Sequence, residues 1–285
     1  MITDPIRTRV FRHFFLALGC VVVVFPIYMT FVASTLHLAE IFQRPMPFLP
    51  GSQFLNNYYQ ALFVGGRGLG GARAIGALVM VQNSAIMAVG ITVSKIIISL
   101  LSSFAIVFFR FPGRQVAFWL VLFTLMLPVE VRIVPTYQLV SNLGLLNSYM
   151  GLIMPLAVSA TATFLFRQYF MTIPDEMVEA AKVDGASPMR FFFHILIPMA
   201  RTPIATLVVI QFVYGWNQYL WPLIATTERR FWTLMIGLSR MLATADHQAD
   251  WHIVMAITII AMVPTIIIVL SMQQQFVKGL TESEK

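Results

Sequence analysis

Lys95, Glu130 and Arg132 stand inside stretches that are otherwise almost wholly apolar. Ionisable groups in such surroundings are costly, and they pair with one another, with water or with a passing charge. Ala88, Thr92, Ser99 and Ser102 lie at helical spacing around Lys95, a small and polar stripe that suits an inward-facing side. Three chemistries fit the trio. A Lys95–Glu130 ion pair would be structural. Two cations and one carboxylate would guide an anion, with Arg132 meeting it first, and Asn217 is a further candidate for the path. A Lys95–Glu130 proton relay would serve a secondary transporter.

Other residue patterns exclude more than they offer. Asp246, His247, Asp250 and His252 have metal-binding side chains, but they fall where a span meets water, and no metal is expected there. Gly66-Arg67-Gly68-Leu69-Gly70-Gly71 has the form G-x-G-x-x-G but follows no strand, so it is not read as a dinucleotide loop. No G-x-x-x-x-G-K-[ST] occurs, so the chain holds no ATP itself. No nucleophile stands with a base. The chain reads as no enzyme, with no catalytic residue and no cofactor of its own.

A second polar cluster runs from Thr172 to Pro198. Thr172 can cap a helix, Pro174 fits its first turn, and Asp175 and Glu176 suit its positive end. The helix passes through Glu179-Ala180-Ala181 and stops at Asp184-Gly185, where glycine can turn left-handed. Ser187-Pro188 starts a second short helix through Phe191, Phe192 and Phe193, expected to end at Pro198. Ala180, Ala181 and Gly185 leave the backbone open to close approach, and the Phe cluster can anchor the second helix.

The elements that position these residues follow from composition. The 285 residues are 58% hydrophobic and 11% charged, against about a quarter charged in a soluble domain. Only a bilayer accommodates so much apolar surface. The predicted fold is all-α, with six transmembrane helices near 14–36, 84–109, 116–140, 149–166, 203–225 and 251–272. With both termini inside, the inner segments hold eleven Arg and Lys and the outer loops six, so the positive-inside rule favours N-in, C-in. The polar cluster then lies on the cytoplasmic face. The outer segment from Ala225 to Asp250 carries Phe231-Trp232, expected to be exposed at the membrane rim as a contact for a binding protein or as an interfacial anchor. Cys20 allows no internal disulfide. No basic run interleaved with aromatics suggests nucleic acid.

The spacing Glu179-Ala180-Ala181, Gly185, Ile195, Pro198 resembles the EAA motif of ABC importer permeases, with Ile197 in place of a usual Leu. Trp216-Asn217-Gln218-Tyr219-Leu220-Trp221-Pro222 resembles the family's fifth-span motif, and Phe276-Val277-Lys278-Gly279-Leu280 the tail of its carbohydrate-type branch. Runs such as Leu127–Arg132, Ser159–Gln168 and Tyr214–Leu223 are similar to the members of that branch that import sn-glycerol-3-phosphate. The resemblance implies a type I ABC importer permease fold and a single permease domain over 1–285. It implies a coupling-helix loop over 172–200, in which Glu179, Ala180, Ala181, Asp184, Gly185 and Phe192 engage an ATPase. It implies a sister permease as heterodimer partner, two ATPase subunits carrying ATP and Mg, an external substrate-binding protein, surrounding lipid, and a bacterial inner membrane. The implied cargo is sn-glycerol-3-phosphate or a related glycerophosphodiester, with a sugar or polyol as the alternative.

Overall fold

The structure, a computed structural model, describes residues 6–67, 75–124, 129–243 and 249–282, and the side chains of Ile6, Arg9, Val129, Glu130 and 273–282 are not among what it describes. The described residues are mostly helical, with no strand among them. They divide into two compact units: Met1–Val79 with Gly237–Val263, and Met80–Ile236 with Pro264–Lys285.

The first unit opens with Ile6–Ser34. Its stretch from Val10 to Phe25 exposes Val, Leu and Phe on all sides, as a lipid-facing helix does. The helix ends where Ser34 and Leu36 lend their carbonyls to the buried Asn57 amide, both at 2.9 Å. One buried side chain thus satisfies backbone oxygens that the helix end leaves free.

Three helices are long and apolar enough to cross a membrane unbroken: Val10–Ser34, Ala77–Phe108 and Trp251–Met272. They match the expected first, second and sixth spans. Around the expected third, Arg114–Phe123 and Val129–Asn142 flank residues outside the described set. The fourth and fifth expectations need correction, because neither is one straight helix. Tyr149–Leu156 and Ala160–Phe170 meet at 49°. Pro155 loosens the chain there, and Ser159 restarts it by accepting from the Ala162 N–H at 3.2 Å. The fifth runs Arg201–Trp216 and breaks at Asn217, after which Leu220–Ala225 is a separate helix.

The second unit is held by close packing of small and aromatic residues rather than by water exclusion, since lipid is as apolar as leucine. Phe104, Phe166, Phe170, Phe191 and Phe192 form one buried cluster. Ser103 donates to the Thr163 carbonyl at 2.8 Å and Ser99 to that of Ser159 at 3.3 Å. The polar stripe read from the sequence therefore partly serves as interhelical glue. A Cβ on Gly215 would sit 2.9 Å from the Ala88 Cα, so glycine is what lets the Arg201–Trp216 helix approach Ala77–Phe108 so closely.

Candidate functional site

The polar cluster folds as two helices joined by a left-handed turn. Asp175–Val183 is the first, with Pro174 rather than Thr172 at its N-cap. Thr172 instead donates its hydroxyl to the Tyr169 carbonyl at 2.7 Å, finishing the preceding helix. Asp175 and Glu176 occupy the first turn and Lys182 the last, each favourable with the helix dipole. Gly185 has φ +71°. The Gly185 N–H donates to Lys182 O at 3.0 Å and the Ala186 N–H to Ala181 O at 2.9 Å, the paired bonds of a Schellman stop. Ser187 then accepts from the Arg190 N–H and opens Pro188–Phe191.

The second helix does not end at Pro198. It widens into a π turn over Phe192–Leu196 and continues as Ile197–Met199. The wide turn lets the Ile197 N–H reach Phe192 O and makes room for a proline ring inside a helix. The axis then bends by 77° into Arg201–Trp216.

Glu179, Ala180, Asp184 and Gly185 are exposed, as a docking surface requires. Ala181 and Phe192 are not. Ala181 is 5% and Phe192 2% accessible, both in the aromatic core. Phe192 lies 4.8 Å from Phe104 and Phe191 5.4 Å from Phe108, between ring centroids. These residues therefore fix the segment to the second long helix from inside. Sequence reasoning missed Val183, which is 87% exposed. Val183 shares a face with Glu179, four residues earlier. A bare aliphatic side chain on a charged helix was the available signal.

Lys95 is buried at 5% exposure. Its Nζ donates to Gln211 Oε1 at 3.0 Å and sits 3.7 Å from the Tyr214 ring centroid. Both partners come from Arg201–Trp216, the helix that follows the polar segment. The side chain of Glu130 lies outside the described part, so the Lys95–Glu130 pair does too. Arg132 is exposed. Asn217 is exposed at the helix break, donating to Val213 O at 2.8 Å. Gln211 and Tyr214 were missed from the sequence, although a lone amide in an apolar span was a readable sign of interhelical bonding.

Both tryptophans around that break are buried. Trp216 stacks on Phe212 with centroids 5.9 Å apart, and Trp221 donates Nε1 to Gly151 O at 3.1 Å. The outer segment also differs from expectation. Phe231 and Trp232 are half-buried: Phe231 meets Tyr149 edge-on at 5.4 Å, and the Trp232 carbonyl accepts from Asn83 at 2.9 Å. They hold the loop and do not form a bare aromatic rim. In the first unit Asp250 is engaged by Arg67, through the backbone N–H at 2.9 Å and the guanidinium at 3.7 Å. Asp246 and His247 lie outside the described residues, as do Gly68, Gly70 and Gly71.

The match to known proteins spans the whole chain. Residues 95–282 match the family described as binding-protein-dependent transport system inner membrane component. The sn-glycerol-3-phosphate transport system permease protein UgpE of Salmonella typhi is 52% identical over 285 residues, covering 100% of both chains. The protein of that name from Escherichia coli O1:K1 / APEC is 50% identical over the same full length. Among solved structures, a bacterial ABC transporter involved in the import of the acidic polysaccharide alginate shares the fold, with TM-score 0.80 at 21% identity, covering 96% of this chain and 99% of that one. By family match and by full-length identity, this chain belongs to the inner membrane components of binding-protein-dependent transport systems, the permeases of ABC importers.

Proposed function

We propose that this chain forms half of the translocation pore of an ATP-driven importer for sn-glycerol-3-phosphate or a related glycerophosphodiester, in a bacterial inner membrane. It crosses six times with both termini inside, as one permease domain. It pairs with a sister permease, receives cargo from an external binding protein, and engages two ATPase subunits that carry ATP and Mg. The observation that carries the cargo assignment is the end-to-end identity with permeases named for sn-glycerol-3-phosphate. The buried Lys95 adds electrostatic support, and with Arg132 as a second cation on the path the pore would favour an anion. The exposed face with Glu179, Ala180, Val183, Asp184 and Gly185 is the ATPase contact, a helix laid into a groove. Closure of the ATPases draws the two coupling segments together and opens the pore outward, and hydrolysis resets it.

The test is uptake into proteoliposomes holding the assembled importer, with binding protein outside and ATP within. Uptake of sn-glycerol-3-phosphate should depend on ATP and survive collapse of the proton gradient. Uptake driven by the gradient without ATP would instead assign a secondary transporter. Uptake of a sugar or polyol with none of the phosphoester would move the cargo to a neutral solute.

A further inference from the structure

A cleft of about 320 Å³ lies between the end of the second long helix and the first coupling helix. Phe104, Phe108 and Phe109 form its apolar wall, Ala186 lines its other side, and Arg110 and Lys182 stand in its lining. Among the described residues no acidic side chain lines it. Among the described residues no carboxylate pairs with Arg110 or Lys182. Both cations are exposed, whereas Phe104 is buried, so the cleft is wet and positive at its mouth and apolar within. Its wall is the last turn of a membrane-crossing helix, Ala77–Phe108. The mouth therefore sits where hydrocarbon gives way to headgroups.

We propose that this cleft binds an anionic phospholipid, with the phosphate on Arg110 and Lys182 and the head of an acyl chain along Phe108 and Phe109. The position and the pairing of charge with apolar surface both fit a lipid better than a soluble anion, which would leave the phenylalanine wall unused. Basic pockets between helices at a membrane face hold acidic headgroups in this way. The last turns of two helices contribute lining residues, and each helix C-terminus carries about half a negative charge. Two full cations exceed that, and the bonds from Gly185 and Ala186 already occupy carbonyls of the second end. A lipid seated here would touch both the long helix that carries Lys95 and the helix that carries Glu179. It would act as a removable wedge between the membrane-crossing part and the coupling segment. Binding depends on the cleft alone. Any effect on coupling additionally depends on the assignment of 172–200 as the ATPase contact, so the two are measured separately.

The binding test uses the assembled importer taken from vesicles of phosphatidylethanolamine and phosphatidylglycerol, with retained lipid identified by native mass spectrometry. The wild-type complex should retain phosphatidylglycerol in preference. Arg110→Gln with Lys182→Gln should weaken that retention roughly 30-fold, at about one charge interaction each. Arg110→Gln alone, at an exposed helix end, should weaken it several-fold without disturbing assembly. Ala186→Leu should also lower retention while both cations remain, because it fills the apolar part. Equal retention by wild type and Arg110→Gln would overturn the proposal. So would a wild-type complex that retains no acidic lipid, which would mean protein fills the cleft. Displacement of the lipid by inorganic phosphate alone would overturn the acyl contact, leaving only an anion site. Substrate-stimulated ATP hydrolysis in vesicles with and without phosphatidylglycerol reads the coupling effect: stimulation by the acidic lipid should be lost in Arg110→Gln.

Discussion

Replacing Gln211 by leucine leaves Lys95 buried with its charge and takes away its only described hydrogen-bond acceptor. A hydrogen bond to a charged group is worth about 1.5–3 kcal/mol net. The Tyr214 ring at 3.7 Å stays, and a desolvated cation over an aromatic face keeps about 2 kcal/mol of its own. Polar pairs between membrane helices run weaker than expected from the apolar surroundings, so the loss should be about 2 kcal/mol. For a domain of this size that is about 4–8 °C in the unfolding midpoint. Lys95→Met removes the charge along with the need to solvate it, and strands only a neutral amide, at about 1 kcal/mol. Lys95→Met with Gln211→Leu leaves two apolar side chains of suitable length, so the pair should be more stable than Gln211→Leu alone. The assay is thermal unfolding of the purified importer in detergent, run as a double-mutant cycle. A coupling energy of about 2 kcal/mol is expected. Strict additivity, or an unchanged midpoint in Gln211→Leu, would refute the claim that Gln211 supports the buried cation.

Three further outcomes follow from the same geometry. Gly185→Val puts a β-branched residue at φ +71°, at a cost of about 1–2 kcal/mol. It should abolish substrate-stimulated ATP hydrolysis with insertion intact, while Gly185→Asn retains most of it; equal activity of the two would remove the left-handed turn from the explanation. Trp221→Phe loses the bond to Gly151 O and leaves a buried carbonyl unmet, so the assembled complex should melt lower by about 1–3 kcal/mol of stability, measured against Trp216→Phe. Arg132→Gln should lower uptake of a phosphorylated cargo more than that of a neutral one at matched ATPase content, and equal losses would assign Arg132 no part in the path.

What the sequence revealed and what it hid separate by physical cause. The Gly185 turn and the Ser187-Pro188 start were legible because each is a local demand that only a few residue types meet. The unbroken spans were legible because hydropathy over about 20 residues is a strong signal. The bends were not. Pro155 and Ser159 mark one in hindsight, but a window average slides across them. The burial of Ala181 was hidden for a different reason. A small residue announces close approach and never says by whom, and here the neighbour is the chain's own Phe104–Phe108 turn. Lys95 was correctly placed on an inward stripe, whereas its partner Gln211 lies 116 positions away and no local pattern could pair them.

If 172–200 is the ATPase contact proposed above, its buried half gives a push at the surface a route to Lys95. Phe192 packs on Phe104, and Phe104 and Lys95 belong to one continuous helix, nine residues apart. At 1.5 Å per residue that is about 14 Å of rigid rod. The same segment also continues through the 77° bend into the helix that supplies Gln211. Lys95 and Gln211 thus sit on two arms that meet at the aromatic contact, and relative motion of the arms must alter their 3.0 Å bond. Slack would enter where Phe192 meets Phe104. Phe192→Leu shortens that contact at a cost of about 1–1.5 kcal/mol, small enough for the complex to assemble. The expected outcome is ATP hydrolysis at near wild-type rate with less cargo moved per ATP, read from uptake and hydrolysis in the same proteoliposomes. An unchanged ratio would mean that displacement does not travel through this contact, and that adjacency of the two arms carries no mechanical meaning.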